Sequence, residues 1–501
     1  MDIRCTHDLV TATIARNLVP AFERVSSAVF ANPFGADRHA LDLELAGARP
    51  SVTRDALIAL VVDRVRALLS AVAVDGRIDV RRFGARDREL VERAVLFVAF
   101  HDFADACDEH IEAQIAAGAT AEPLPAAFAV QLVEHLRAHG LTTSAATHYV
   151  AIIFQMRRGF VLVDRALSGR AASMRALRER LWANVFTHDI GRYEKWLSGR
   201  MEDFSTILLG ETGTGKGTAA AAIGRSGFIP FDRAQGRFAE SFVAAFSAVN
   251  LAEFPASLLE SELFGHRKGA FTGAVDHYDG ALARCSRHGA VFLDEIGDVE
   301  VPVQIKLLRV LQDRELTPVG SHQSVRFSGR VIAATNQDLD ELRRQGRFRD
   351  DFYYRLCADV LVIPPLRQRL AEDRDELAVV VDKVVARIVG GASAELRDEV
   401  LAVIERDLPT DYPWPGNVRE LEQCVRRVLL TRRYDGDTSR RAAGPAAQLR
   451  EAIETGHLQA RDLVSRYCQL LYARLGTYEE VARRTGLDRR TVKRHVDAGD
   501  A

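Results

Sequence analysis

A chain of 501 residues with 47% hydrophobic and 27% charged side chains holds enough apolar material for several cores and is too long for one ordinary domain. Its 67 basic and 69 acidic residues leave a formal net charge of -2, which excludes a uniformly basic nucleic-acid coat but allows a local basic patch. The six cysteines are scattered without a Cys-x-x-Cys pair, the apolar runs stop short of a membrane span, and Met1-Asp2-Ile3-Arg4 lacks a signal peptide's basic-then-apolar order. The expectation is a cytoplasmic protein with reduced thiols and no membrane contact.

Residues 1–180 predict helices, with apolar side chains at helical spacing through Ala56 to Val72 and from Leu90 to Ile115. Turn formers mark breaks at Asn32-Pro33-Phe34-Gly35 and at Gly118 to Pro125. His101, Asp105, Asp108 and Glu112 fall on one face of such a helix, a spacing compatible with a metal but expected instead to form a solvated, salt-bridged face. No aspartate-rich phosphoacceptor pattern is evident, so the input to this region, a small ligand or a protein, is unassigned. His188-Asp189 reads as packing near a nucleotide site rather than as a catalytic pair.

From Thr206 the texture becomes α/β. The short apolar strand Thr206 to Leu209 runs into Gly210-Glu211-Thr212-Gly213-Thr214-Gly215-Lys216, a Gly-x-x-x-x-Gly-Lys loop. Its backbone N–H groups are placed to curl round a phosphate at a helix N-terminus, with Lys216 reaching the outer phosphates. Gly217 stands where many such loops carry a magnesium-binding hydroxyl, and Thr218 comes one residue late. The apolar strand Ala290 to Leu293 ends in Asp294-Glu295, an order that predicts Asp294 on magnesium and Glu295 polarising an attacking water. Thr335-Asn336 ends the next strand, where polar groups sense a γ-phosphate. Together these predict an ATPase site, using ATP and Mg2+, at the carboxyl ends of a parallel sheet.

After Pro364-Pro365 helices are expected over Arg374 to Val389, Ala394 to Leu408 and Val418 to Leu430, followed by a linker. From Tyr478 a short helix, a turn at Gly486 and a second basic helix follow helix-turn-helix grammar. Arg489, Arg490, Thr491, Lys493 and Arg494 would then face double-stranded DNA.

The central motifs resemble the bacterial enhancer-binding proteins, the AAA+ ATPases that activate sigma-54 RNA polymerase. The resemblance rests on Gly269-Ala270-Phe271-Thr272-Gly273-Ala274, preceded by Glu260 to His266, then on Asp294-Glu295, Phe348 to Leu356, Pro364 to Arg369 and Trp414 to Leu421. It covers about Asn184 to Leu430. It implies that Gly269 to Ala274 contact sigma-54, and that Asn250 couples Glu295 to that loop. It further implies that Arg349 and Arg355 act as arginine fingers on a neighbouring subunit's ATP, and that Arg419 is the lid arginine that feels bound nucleotide. Gly217 departs from this family, which usually has glutamate there. A generic AAA+ remodeller would explain the ATP site but not the Gly269 to Ala274 loop. A DNA-binding repressor would explain the last helices but not Asp294-Glu295 with two fingers.

The expected architecture is therefore multidomain. It comprises a helical N-terminal regulatory or sensory domain (1–180), an AAA+ P-loop α/β core with a parallel sheet (184–372), a helical lid (373–432), a linker (433–447) and a C-terminal helix-turn-helix domain (448–501). The expected activity is ATP-driven conversion of sigma-54 holoenzyme closed complexes into open complexes, by a homo-oligomer, a hexameric ring, bound to DNA upstream of promoters.

Overall fold

The computed structural model describes residues 12–436 and 449–497, apart from 451, 454, 455 and 457; residues 437–447 of the expected linker and the first eleven residues lie outside it. The amino-terminal region is helical: α1 (Val19–Phe30), α2 (Ala36–Ala46), α3 (Arg54–Ala71), α4 (Ala85–Asp102), α5 (Ala104–Ala117), α6 (Ala127–Ala138), α7 (Thr143–Ala166) and α8 (Ala172–Phe186). The expected single run from Leu90 to Ile115 is two helices, because Phe103 leaves helical geometry at φ -104°, ψ 9°. That break puts His101 on α4, packed against Phe97 and Phe100, and the three acids on α5. Asp108 takes both arms of Arg157 at 2.6 Å and Glu112 pairs with Arg165, so this is an ion-paired surface. Among the described residues no acid, histidine and cysteine group could hold a metal ion, and no helix is long and apolar enough to cross a membrane.

Five parallel strands follow: β1 (Thr206–Leu209), β2 (Phe246–Asn250), β3 (Ala290–Asp294), β4 (Arg330–Thr335) and β5 (Asp359–Val362), in spatial order β2-β3-β4-β1-β5. Strand side chains alternate between two cores, as a pleat buried on both faces requires. Ile207, Val291, Leu293, Val331 and Ala333 meet α10 (Ala256–Phe264), α11 (Val301–Asp313) and α12 (Asp350–Leu356) on one face. Leu208, Phe292, Ile332 and Ala334 meet α7, α8 and α9 (Lys216–Gly224) on the other.

No break in packing coincides with residue 180. A hairpin after α9 pairs Phe231-Asp232 with Arg237-Phe238, and its Phe231 and Phe238 join Phe242 in the core formed by α1 to α7. From α7, Gln155 donates to the Tyr193 hydroxyl (2.6 Å) and to the Ser226 carbonyl (2.9 Å), just past α9. Its neighbour Arg158 is 1% exposed, donates to the Gly227 carbonyl and lies over the rings of Phe154 and Phe242. A methyl group at Gly159 would stand 2.8 Å from Phe186, so the helix runs hard against α8. The helical region and the sheet thus belong to one compact unit, reaching to Arg397 and including residues 416–423.

Helices α13 (Leu366–Glu372) and α14 (Glu376–Val389) follow β5, then α15 (Ala394–Asp407) and α16 (Asn417–Thr431). Glu376 is fully buried because Arg369 meets it at 2.6 Å and the Ala171 N–H donates to it at 3.1 Å. A buried carboxylate is tolerated only when paired and hydrogen-bonded in this way. The second unit holds residues 398–415 and the chain from Cys424. There α17 (Ala460–Leu475), α18 (Tyr478–Thr485) and α19 (Arg489–Asp497) close over Cys468, Val481 and Val492.

Candidate functional site

The loop after β1 bends because Gly213 (φ 79°) and Gly215 (φ 104°) occupy the left-handed region. It opens directly into α9, whose first N–H groups point at the loop. Lys216 is 7% exposed, and its Nζ donates to the Gly210 carbonyl (2.8 Å) and the Glu211 carbonyl (3.2 Å) of its own loop. Desolvation lowers its pKa, with Glu295 and Asp294 opposing that effect. Anionic phosphate oxygens are a better partner for this ammonium than loop carbonyls, so the loop fits a phosphate ligand.

Carboxyl ends of the central strands bring the acids to the same edge. Glu295 adopts a left-handed conformation (φ 56°, ψ 46°), unusual for a residue with a side chain. Its Oε2 is buried with no hydrogen-bond partner among the described residues. Burial raises its pKa, against the pull of Lys216. An unpartnered buried carboxylate oxygen beside a phosphate loop is placed to take a hydrogen bond from water. Asp294 accepts the Glu295 N–H at 3.1 Å and keeps its second oxygen for other work. Gly217 offers no side-chain ligand, while Thr218 is exposed on α9; Asp294 is therefore the side chain here best suited to hold magnesium.

The polar strand ends do not all behave as expected. Asn336 donates from Nδ2 to Thr212 Oγ1 (2.8 Å), linking the end of β4 to the phosphate loop, whereas Thr335 is buried and accepts the Gln337 N–H (3.1 Å). Asn250 lies in register beside Asp294, but its amide donates to Glu253 (2.8 Å) rather than to Glu295. Arg419 follows a contact that sequence reasoning left without a role. Asn417, at φ 53° and fully buried, donates to Glu211 Oε2 and to the Thr212 carbonyl (both 3.1 Å) while its Oδ1 accepts the Leu366 N–H (2.7 Å). Arg367 also donates to the Glu211 carboxylate at 2.7 Å. The Glu211 side chain is thereby committed to structure, and the Val418 and Arg419 N–H groups reach the Gly213 carbonyl at 3.0 and 3.4 Å.

Arg349 and Arg355 are about two-fifths exposed. Arg349 forms a two-armed pair with Asp351 (2.7 and 3.0 Å). The guanidinium of Arg355 donates to the Leu311 carbonyl (2.6 and 2.9 Å), and its own carbonyl accepts Ser205 Oγ. Ser205 precedes β1, so Arg355 sits at the end of the strand opposite the phosphate loop.

The Gly269 to Ala274 loop is a short turn closed by Gly269 N–H to the Ala274 carbonyl (2.8 Å) and Ala274 N–H to the Phe271 carbonyl (3.0 Å). Phe271 is 38% exposed and touches only the edge of His266 among aromatic rings of the described residues. Thr272 and Gly273 are exposed. A second loop, which the sequence reading passed over, supports the first: the Val319 carbonyl accepts the Arg267 N–H (3.0 Å), and Gly320 faces Ala270. The turn formers Pro318 and Gly320 were its available signal.

In the second unit Asp488 caps α19 by accepting the Arg490 and Thr491 N–H groups (2.9 and 3.1 Å) and Thr491 Oγ1 (2.6 Å). Arg489 pairs with Glu479 (2.8 Å); Arg490, Lys493 and Arg494 are exposed.

The sheet order, the phosphate loop after the first strand and the acid pair at the end of β3 define a P-loop core of the AAA+ class. Residues 192–361 match the family described as "Sigma-54 interaction domain". The chain is 35% identical over 299 residues to the regulatory protein AtoC of Escherichia coli (strain K12), spanning 57% of this chain and 60% of AtoC. It is 42% identical over 241 residues to the Nif-specific regulatory protein of Azotobacter vinelandii, spanning 48% of this chain and 41% of that protein. Against the DNA-binding transcriptional regulator NtrC of Rhizobium meliloti (strain 1021) it is 44% identical over 236 residues, 47% of this chain and 44% of NtrC. Among solved structures it is similar to NtrX from Brucella abortus at 22% identity and a TM-score of 0.39, over 74% of this chain and 80% of that one. Residues 192–361 thus match the domain shared by the sigma-54-dependent AAA+ activators, and the similarity spans 41–60% of the length of these three curated relatives.

Proposed function

We propose that this protein is a cytoplasmic ATPase that opens sigma-54 promoter complexes from DNA sites upstream. The observation that carries the reading is the pairing of a phosphate loop with an exposed Gly-Ala-Phe-Thr-Gly-Ala turn on one domain. Lys216 and the N–H groups of Gly213 to Lys216 hold the phosphates, and Asn336 and Arg419 report on them. Asp294 would hold magnesium, which supplies positive charge to the phosphate oxygens when bound. Glu295 accepts a proton from the attacking water through its unpartnered oxygen. Arg349 and Arg355 serve a neighbouring copy in a hexameric ring; the position of Arg355 at the far end of β1 supports action away from its own phosphate loop. Phe271 and Thr272 engage sigma-54, residues 1–180 receive the signal, and α19 binds DNA.

The test is Thr272→Ala in the full chain. ATP turnover and ring assembly stay within twofold of wild type, while permanganate footprinting detects no open complex on a sigma-54 promoter. Normal opening by this variant would defeat the reading at its most specific point. For α19, neutralising Arg489, Arg490, Lys493 and Arg494 lowers the slope of log affinity against log salt by roughly 0.9 for each DNA phosphate that is no longer neutralised. An unchanged slope moves DNA binding elsewhere.

A further inference from the structure

The helices α1, α2, α3, α4, α7 and α8, with residues 189–196, line a half-open cavity of about 1340 Å³. Protein interiors are close-packed, and a space above a few hundred cubic ångströms on this scale is a built chamber rather than a packing defect. Aromatic side chains make up 7% of the chain but crowd these walls, with Phe30, Phe34, Phe100, Tyr149, Phe160 and Trp182 among them.

The arginines of the inner wall already have partners. Arg38 meets Asp42 at 2.9 Å, Arg157 meets Asp108 at 2.6 Å, and Arg178 donates to the Leu167 and Gly169 carbonyls at 2.6 and 3.0 Å. Arg93 donates to Ser26 (2.5 Å) and pairs with Glu89. These cations do not call for a charged guest. The group still lacking a partner is Trp182, which is 2% exposed and whose buried indole N–H finds no acceptor among the described residues. A buried donor without an acceptor is costly, and native interiors rarely leave one.

Phe34 shows how a ring fits here. It projects from the turn between α1 and α2, lies parallel to Phe160 (centroids 5.3 Å apart, 12° between planes) and sets itself edge-on to Trp182 (6.1 Å, 69°). Its turn is fastened from outside by Asn32 Nδ2 donating to the Glu179 carbonyl on α8 (2.8 Å). A phenylalanine ring fills the stacking place but offers the indole no acceptor oxygen.

We propose that this cavity binds a flat, uncharged aromatic molecule bearing a carbonyl-type acceptor, which stacks on Phe160 in place of Phe34 and accepts a hydrogen bond from Trp182 Nε1. Charged aromatics are disfavoured because the two cations over the Phe160 ring are already held, Arg157 by Asp108 and Arg54 by the Pro33 carbonyl. Purely hydrocarbon guests gain the stacking but leave the indole unsatisfied.

Two probes differing in a single carbonyl decide the matter: 9-fluorenone and fluorene, titrated calorimetrically into the full chain without nucleotide. Because no nucleotide is present, the outcome is independent of the ATPase reading. Fluorenone binds the wild type about tenfold more tightly than fluorene. Trp182→Phe brings the two affinities together, and Phe34→Ala tightens fluorenone binding by vacating its place. Equal affinities in the wild type, no binding of either probe, or a preference that survives Trp182→Phe would each overturn the proposal. Should Trp182→Phe lose its circular-dichroism melt, Phe34→Ala, in a half-exposed turn, decides alone: unchanged or weaker fluorenone binding overturns it.

Discussion

A methyl group at Gly213 would stand 2.2 Å from the Gly416 carbonyl oxygen, whereas at Gly269 or Gly273 it would meet nothing within 4 Å. All three glycines have positive φ, so each is conformationally suited to its turn. The phosphate loop is gripped from outside by Asn417, Arg367 and Asn336, and its glycine is a steric requirement. The exposed Phe271 turn is closed mainly on itself and leans on Val319 and Gly320, so its glycines are a conformational licence. The same residue type therefore fixes one loop to hold a ligand and leaves the other free to rearrange.

The comparison is sharpened most by separating the gripped loop from the acid beside it. Glu295→Gln removes the proposed proton acceptor and lowers ATP turnover by roughly 10²–10⁴-fold while ATP affinity stays within a fewfold, as read by steady-state hydrolysis and calorimetry. The same substitution tests the electrostatics. Burial raises the Glu295 pKa, so the folded state takes up a proton more readily than the unfolded chain. The charged form therefore costs stability above the folded pKa, and that cost disappears as pH falls through it. Glu295→Gln raises Tm slightly at pH 8 and progressively less as pH falls into the ordinary carboxylate range near about 4; an equal shift at both ends of that range contradicts this assignment.

Gly213→Ala breaks the gripped loop directly. Displacing it by about an ångström costs ATP affinity or turnover on the order of 100-fold. Gly273→Ala, with room for its methyl, keeps turnover within twofold and shows its effect in sigma-54 engagement. Comparable losses of ATPase in both variants would erase the distinction between the loops. The smallest effect belongs to Gly217, whose added methyl would come no closer than 3.8 Å to Phe292. Gly217→Ala favours α9 by about 0.5–1 kcal/mol in thermal or urea unfolding and leaves hydrolysis unchanged.

What was legible in the sequence was contiguous. The phosphate loop, Asp294-Glu295 and the Gly269 to Ala274 turn each occupy a few adjacent residues; spacing and order exposed the first two, and the family resemblance exposed the third. Helices α14, α15 and α16 were legible to within about two residues from apolar periodicity. The grip on the phosphate loop was hidden because Asn417 reaches Glu211 across 206 positions of chain, and neither residue carries a local signature of the other. The break at Phe103 was hidden for a different reason: both flanking segments are apolar at helical spacing, and the interruption is set by how α4 and α5 pack. The hairpin around Phe231 and Phe238 was passed over because two-residue strands have no periodicity to detect, and its role is to seal a core built mostly from residues a hundred positions earlier.

Helix α7 has two occupations. Ile152, Ile153, Met156 and Phe160 line the aromatic cavity, while Gln155, Arg158 and Gly159 are clamped to the segment just past the phosphate-loop helix and to α8. A rod shared in this way obeys thermodynamic reciprocity: whatever factor an occupant of the cavity applies to nucleotide affinity, nucleotide applies to the occupant's affinity in return. Arg158, buried with the Gly227 carbonyl and the rings of Phe154 and Phe242 as its partners and held down to a pKa of about 9 by burial, ties any rotation of the rod to the segment just past the phosphate-loop helix. The coupling can thus be measured from either side, without reference to transcription at all.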